Sequence, residues 1–356
     1  MHNLKIELGN CVKVYAKNAT CTKCEDICPH HAISYNENIP VISDTCTDCG
    51  GCIGVCPTEA ISLKNFDTLD FIFSFLESEE SLISCKKNIP CLATLSVENL
   101  ISLALLGDET ILDLGHCASC EIQEPLYAQI QQNITEANLF LQNINSTKTI
   151  KTEMLGYEEP VEEKEPDRRD FLKRFSVKGA IKSKIEFEEA LHEEQRTLST
   201  EDTQNIRKKE IPNKRKLLFM ALKRAQTPVN YHTYMSDEIS FTSQKNINDD
   251  CDNCSICYRI CPTGALQSDR RQTKIDFDPL MCVKCSLCHD VCEPNAITLI
   301  PYSTKELFEP KIKELINFKV VRCDECANFF TYFGGEKTCP RCKIEEEEAK
   351  SLWGIQ

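Results

Sequence analysis

The sequence of 356 residues predicts an α+β protein assembled from several small units rather than around one large core. Three observations support this fold class. The chain has 24 cysteines, and most of them fall in short groups with regular spacing. A short apolar pair that favours a strand follows each of the four largest groups. A charged stretch without cysteine, residues 147–249, separates an N-terminal set of cysteines from a C-terminal set.

Composition excludes several classes of protein. No run approaches 18 consecutive apolar residues, so we expect no membrane span, although peripheral association with a membrane stays open. The N-terminus lacks the apolar stretch of a secretory signal, which predicts a cytoplasmic protein whose cysteines bind metal rather than form disulfides. A net charge of −14 argues against nucleic-acid binding. Neither GxGxxG nor GxxxxGKS/T occurs, so a Rossmann or P-loop enzyme is not expected.

Four cysteine blocks carry the chemistry of the chain. The second, third and fourth blocks have the spacing C-x2-C-x2-C-x3-C, and a proline directly follows the last cysteine in the first three. Three thiolates on a tight loop can bind three irons of one cubane, whereas the fourth points away and binds a second cluster. Proline suits that exit because it cannot continue a helix. The blocks are Cys11, Cys21, Cys24 and Cys28; Cys46, Cys49, Cys52 and Cys56; Cys251, Cys254, Cys257 and Cys261; and Cys282, Cys285, Cys288 and Cys292.

These blocks resemble the ferredoxin-type dicluster domains and the polyferredoxins built from them, and CPTGAL at 261–266 is close to the CPxGAI of that family. The resemblance implies two bacterial-ferredoxin-like domains with four [4Fe–4S] clusters, in which each pair of blocks exchanges its fourth ligands. Zinc or disulfides at these positions are the alternative. The implied sets are site 1, Cys11, Cys21, Cys24 and Cys56; site 2, Cys28, Cys46, Cys49 and Cys52; site 3, Cys251, Cys254, Cys257 and Cys292; and site 4, Cys261, Cys282, Cys285 and Cys288.

Site 1 departs from the family pattern. The resemblance places a cysteine where Asn18 stands, and Cys11 is the nearest candidate. Residues 12–20 would then loop out between two ligands. The alternative is a site of three cysteines with a labile iron.

Residues 66–146 predict a small α/β domain with a parallel sheet, because strand and helix patterns alternate. Ser96 is a candidate N-cap for a helix that ends at Gly107, and ANLFLQ at 137–142 is a candidate third strand. Cysteines stand at the ends of the predicted strands, where α/β sheets bind ligands. The pattern around GHCASC resembles the iron–sulfur (delta) subunit domain of methyl-viologen-reducing hydrogenases, which implies a further [2Fe–2S] cluster or another metal. A redox disulfide or free thiols are the alternatives, and His116 is a further candidate ligand. The cysteines, called site 5 below, are Cys85, Cys91, Cys117 and Cys120.

The stretch 147–245 is dense in charge and predicts a partly helical linker. A helix is expected to begin near Pro212, and its mixed apolar and basic faces predict docking on another domain or a partner. The string RRDFLK at 168–173 is similar to a twin-arginine export motif, but no apolar segment follows it. A basic amphipathic helix is the simpler interpretation, and mimicry of an export signal is the alternative.

The C-terminal cysteines have the spacing C-x2-C-x12-C-x2-C, which presents four sulfurs to one ion and resembles a zinc ribbon. Rubredoxin-type iron is the alternative. The ligands of this ribbon site are Cys323, Cys326, Cys339 and Cys342. The domains predicted are 1–65, ferredoxin-like; 66–146, α/β; 147–245, linker; 246–302, ferredoxin-like; and 303–356, ribbon with an acidic tail.

No catalytic residue was identified, so we expect a non-catalytic iron–sulfur electron carrier. The resemblance implies a redox enzyme as partner, such as a formate dehydrogenase, a hydrogenase or another molybdoenzyme, and the acidic chain predicts a basic docking face on it. The alternative function is that of a cytoplasmic accessory or maturation factor for an exported molybdoenzyme.

Overall fold

The computed structural model describes residues 2–156 and 208–354. The first dicluster unit spans residues 2–66. Its strand β1 pairs antiparallel with β4, and β2 forms a hairpin with β3. The strands expected at Ala32-Ile33 and Ala60-Ile61 are present as β2 and β4. The elements are β1 (Leu4–Ile6), α1 (Val12–Tyr15), α2 (Lys23–Asp26), β2 (Ile33–Asn36), β3 (Ile39–Ile42), α3 (Gly51–Val55) and β4 (Ile61–Leu63).

The middle unit is a three-stranded parallel sheet of order β5-β6-β7 with helices between the strands, as the alternating pattern predicts. The Ser96 side chain caps its second helix by accepting from the backbone of Asn99, and Gly107 ends that helix. The elements are α4 (Thr68–Glu77), β5 (Leu82–Ile83), α5 (Val97–Leu106), β6 (Thr110–Asp113), α6 (Gln123–Asn143) and β7 (Ile150–Glu153).

The third strand of this sheet is not where the sequence predicts it. Residues 137–142 lie inside α6, because their buried positions continue the helical spacing of Ile130 and Ile134. The third strand is β7, which falls in the stretch expected to be linker. Short parallel strands carry a weak sequence signal, and pairing with β6 determines this one.

The linker expected at 147–245 is also too long at its C-terminal end. Helix α7 (Asn213–Leu222) begins directly after Pro212, as predicted, and packs on α5 with both apolar and charged side chains buried. Two strands, β8 (Thr233–Tyr234) and β9 (Gln244–Ile247), follow before residue 248. The RRDFLK string lies outside the described residues.

The second dicluster unit is built from three antiparallel sheets, β8-β13, β9-β12 and β10-β11-β14. The strands expected at 265–266 and 296–297 are present as β10 and β12. The last strand, β14, pairs with β11, so residues expected in the ribbon complete the sheet of this unit. The remaining elements are α8 (Ile256–Ile260), β10 (Leu266–Ser268), β11 (Lys274–Phe277), α9 (Leu287–Asp290), β12 (Ile297–Ile300), β13 (Tyr302–Ser303), α10 (Lys305–Phe308) and β14 (Lys313–Asn317).

The C-terminal ribbon is the hairpin of β15 (Val320–Arg322) and β16 (Phe329–Thr331), followed by the exposed helix α11 (Pro340–Trp353). It touches the second dicluster unit where the Asn253 amide donates to the Thr331 hydroxyl at 2.8 Å.

Three hydrophobic cores hold these units together. The first dicluster unit, the middle unit and α7 share one continuous core with β8, β13 and α10, and the rest of the second dicluster unit has its own core. The third core is small and lies between the two dicluster units, where Val12 and Ala19 pack against Leu287 and Val291. The two dicluster units are therefore in direct contact.

Arg215 on α7 is a charged centre of this assembly. It is fully buried, and its Nε donates to Glu98 on α5 at 2.6 Å. Its two terminal nitrogens donate to the backbone carbonyls of Phe241 and Leu280, which lie in the second dicluster unit. Its neighbour Lys214 donates to the carbonyl of Cys56 in the first unit. Helix α7 thus joins three units through buried polar contacts.

Candidate metal centres

Site 1 is a small apolar pocket in the first dicluster unit, lined by all four of its cysteines. Burial raises the pKa of the Cys11 thiol to about 12, with smaller contributions from Cys56, Cys24 and Cys21. Cys11 therefore lies with the other three ligands of the implied set, although it precedes an inserted segment. The Tyr35 hydroxyl is 3.1 Å from the Cys24 sulfur.

Site 2 is a second small pocket in the same unit. It is lined by Cys46, Cys49 and Cys52 from one block and by Cys28 from the other. This is the grouping of cysteines from two blocks that the resemblance implies. In each case a backbone N–H supports the exchanged sulfur: Ala32 N–H donates to Cys28 Sγ and Ala60 N–H to Cys56 Sγ, both at 3.2 Å.

Sites 3 and 4 repeat this arrangement in the second dicluster unit. Burial is the largest cause of the raised pKa of Cys251, and Cys292 from the other block adds to it. The pKa of Cys285 is likewise raised by burial and then by Cys261 and Cys288. Ala296 N–H donates to Cys292 Sγ at 3.3 Å, as in the first unit.

Three of the four blocks share a loop conformation that sequence spacing alone did not reveal. The residues directly before and after the second cysteine have positive φ. Only one of the six is glycine, so the remaining five adopt the left-handed region against their intrinsic preference. The first block instead forms α2 and lacks this loop, which agrees with its irregular spacing. The residues are Asp48 and Gly50, Asn253 and Ser255, and Lys284 and Ser286.

The inserted segment 12–20 lies between the two dicluster units. Thr20 and Asn18 hydrogen-bond to Asp290, and Val12 packs on α9. Tyr15 stands between two sites: burial raises its pKa, and the thiols of Cys11, from site 1, and Cys285, from site 4, raise it further. Sites 1 and 4 therefore face each other across the contact between the units.

Site 5 lies at the carboxyl edge of the middle sheet, as the strand ends predict. Cys85 follows β5, and Cys117 lies four residues beyond β6. Burial raises the pKa of Cys91 to about 12, with further contributions from Cys49, Cys117 and Cys85. Cys91 is thus close both to the other cysteines of site 5 and to Cys49 of site 2, a relationship that the sequence did not indicate. His116 Nδ1 is 3.6 Å from Cys85 Sγ.

The ribbon site is the most compact group of sulfurs in the described ranges. Its four sulfurs lie within 4.8 Å of one another, and Cys326 Sγ is 3.7 Å from Cys339 Sγ. A zinc–sulfur bond of about 2.3 Å in a tetrahedron requires sulfurs about 3.8 Å apart. Backbone N–H donors, that of Cys326 foremost, lower the pKa of Cys323 to about 6, which favours the thiolate. These residues fit a single tetrahedral ion.

No helix within residues 2–156 and 208–354 is both long and apolar enough to cross a bilayer.

Comparison with known proteins agrees with the two dicluster units. Residues 18–66 match the LdpA Fe-S cluster-binding domain, and residues 250–296 match the 4Fe-4S dicluster domain. The first match begins at residue 18 and leaves Cys11 outside.

Two curated proteins are similar to parts of the chain. A component of the ion-translocating oxidoreductase complex of Methanosarcina acetivorans is 44% identical over 45 residues, which are 12% of this chain and 17% of that protein. Ferredoxin-3 of Chlorobaculum tepidum is 39% identical over 57 residues, which are 14% of this chain and 92% of that ferredoxin. The cysteine geometry and the two family matches agree with the match to nearly the whole length of that ferredoxin. The chain therefore belongs to the ferredoxin family of iron–sulfur proteins.

Proposed function

We propose that this protein carries electrons to or from a redox enzyme through four [4Fe–4S] clusters held at sites 1 to 4. A cluster of this kind supplies a one-electron couple whose potential depends on charge, hydrogen bonds and solvent exposure. The observation that carries the proposal is the gathering of four cysteines at site 1 and at site 2, together with the contact between the two dicluster units. A carrier with one isolated unit would have no use for that contact.

The protein's own residues hold the clusters and keep water away from them. Apolar side chains such as Ile6 and Ile61 line site 1, and Leu4 and Ile33 line site 2. Backbone and hydroxyl donors to sulfur disperse the negative charge of the thiolates, which favours the reduced state. The ribbon site would hold one zinc ion with a structural role. Site 5, beside site 2, would hold a further [2Fe–2S] cluster or another metal.

Site 3 is the proposed port for the partner. Cys254 is exposed, whereas the other cysteines of sites 1 to 4 are buried or half-buried. Asp252 lies next to it, Asp249 and Asp250 precede it in the same loop, and all three are exposed. This acidic rim fits a basic docking face on a redox enzyme, and opposite charges would speed the encounter. We further propose that this partner is a redox enzyme and that the protein acts in the cytoplasm.

The test is the content of iron, acid-labile sulfide and zinc in protein purified without oxygen. We expect about 16 iron, 16 sulfide and one zinc per chain, with more iron if site 5 holds a cluster. Reduced protein should pass electrons to an acceptor faster when the acceptor is cationic than when it is anionic, and added salt should remove the difference. Several zinc ions with no sulfide would contradict the proposal. Stoichiometric binding to an apo-molybdoenzyme without electron transfer would instead favour the accessory role.

A further inference from the structure

One lysine is buried among the ligands of site 4. Lys245 on β9 is only 3% exposed. Its charge lies close to the sulfurs of Cys282, Cys288 and Cys285. Ser243, two residues earlier and on the same side of the extended chain, places its hydroxyl 3.2 Å from Cys282 Sγ. Nζ also lies 3.0 Å from His289 Nε2. An ammonium group can only donate, so His289 accepts this bond.

A buried ammonium group requires a nearby negative charge, because leaving it unpaired costs several kcal/mol. Within the part of the chain that the structure describes, no carboxylate forms an ion pair with Lys245. The negative charge facing it is therefore that of the site 4 thiolates and of whatever they bind. Its position is explained by an anionic centre at this site.

The charges beside the other sites differ. Asp48 lies beside Cys46 of site 2, and Asp252 lies beside Cys251 and Cys254 of site 3, so each of these sites faces a carboxylate. Lys23 and Lys13 act on Cys21 of site 1, but Lys23 is exposed and Lys13 is half-buried, so water screens them.

A second buried lysine, Lys214, lies near site 1, but carboxylates balance its charge. Its Nζ donates to the Cys56 carbonyl and lies 3.9 Å from Glu98 Oε2. Burial raises the pKa of the nearby Glu59, and the charge of Lys214 opposes that rise. Lys245 differs from Lys214 because the groups that face it are cluster ligands rather than carboxylates.

We propose that Lys245 sets the potential of site 4 above those of the other three, so that an electron entering the protein rests there. This rests on the proposed function. Reduction adds one electron, supplied in the test by dithionite, and no proton or bond change accompanies it. The added negative charge interacts with Lys245 through a medium of low dielectric constant, so the reduced state gains more than the oxidised state. The carboxylates beside sites 2 and 3 act in the opposite direction, but water screens them too, because Asp48 is half-buried and Asp252 is exposed.

The test is a potentiometric titration with dithionite, followed by electron paramagnetic resonance, of the full chain with its clusters. In Lys245→Gln we expect the highest of the four midpoint potentials to move down while the other three stay. Lys245→Arg keeps the charge and should retain the original value. Lys305→Gln, which removes an exposed lysine paired with Glu309 in the same half of the chain, should move none of them.

Ser243 provides a second and milder probe of the same site, because its hydroxyl lies 3.2 Å from Cys282 Sγ. If Lys245→Gln does not load its cluster, the signal that shifts in Ser243→Ala identifies site 4. That signal must have the highest midpoint potential of the four in the unaltered chain. A lower midpoint for site 4, or unchanged midpoints in Lys245→Gln protein that contains all its clusters, would overturn the role of Lys245 alone. Unaltered protein that contains no clusters would overturn the proposed function itself.

Discussion

Asp290 accepts two hydrogen bonds from Thr20, which lies 270 residues earlier in the chain. The Thr20 backbone N–H donates to one carboxylate oxygen and the Thr20 hydroxyl to the other, each at 2.9 Å. Thr20 belongs to the insertion that replaces the family's expected ligand at Asn18. The insertion that removes a regular ligand therefore also joins the two dicluster units.

Thr20→Val should loosen the contact between the units. Loss of one partly exposed hydroxyl bond costs about 0.5–1.5 kcal/mol. We expect faster hydrogen exchange of the amides in 12–20 and 287–291, and weaker magnetic interaction between reduced clusters. Thr22→Val is the matched control, since its hydroxyl bonds to Asp26 within the same helix region. Equal effects of the two variants would show that the contact is not specific.

Arg215→Met should destabilise the assembly by about 3–5 kcal/mol, because it removes the 2.6 Å partner of the buried Glu98 carboxylate and leaves only Lys214, 3.9 Å away. The measurement is the opening free energy of the α7 amides from native-state hydrogen exchange. Lys216→Met, one residue along, removes an exposed pair with Glu210 and should cost about 0–1 kcal/mol. A small effect of Arg215→Met would mean that Glu98 finds another partner or takes up a proton.

Cys11→Ser should remove between one and four of the roughly 16 iron atoms per chain, because site 1 loses a thiolate. Adding Asn18→Cys should not restore them, since the Asn18 side chain is exposed and donates to the Asp290 carbonyl. Iron analysis and electron paramagnetic resonance provide the readout. Unchanged iron in Cys11→Ser would favour a three-cysteine site, and rescue by Asn18→Cys would restore the regular family arrangement.

Cys117→Ser should remove any iron above 16 per chain and leave the other clusters intact, because site 5 is formed by the middle sheet. His116→Ala should keep that iron, since its ring is adjacent to Cys85 but the four cysteines suffice as ligands. If no iron above 16 is found in the unaltered chain, thiol titration decides between a disulfide and free thiols.

Cys339→Ser should release one zinc ion to a chromogenic chelator without loss of cluster iron. The ribbon site lies between the β15–β16 hairpin and the start of α11, and the hairpin meets the second dicluster unit at the Asn253–Thr331 bond. A red protein with high-spin ferric iron at this site would show the rubredoxin alternative instead.

Several features of the fold follow from the sequence alone, because neighbouring residues determine them. The spacing of the cysteines predicted which of them lie together in the first dicluster unit, and the apolar pairs after each block predicted β2, β4, β10 and β12. The Ser96 cap and the start of α7 after Pro212 were likewise readable. The spacing of cysteines, helix capping and apolar periodicity each involve residues close together in the chain, so they can be recognised in a single sequence.

Tertiary structure decided the relationships between distant residues. It placed Thr20 on Asp290, Arg215 on Glu98 and Cys91 beside Cys49, and it paired β7 with β6. None of these pairs has a local signature, since each depends on how separate units pack. Lys245 shows the same limit: in the sequence it is one lysine among many, and only burial next to three cysteines gives its charge an effect on site 4. The sequence determined which cysteines are candidate metal ligands, and packing decided which of those candidate centres face one another.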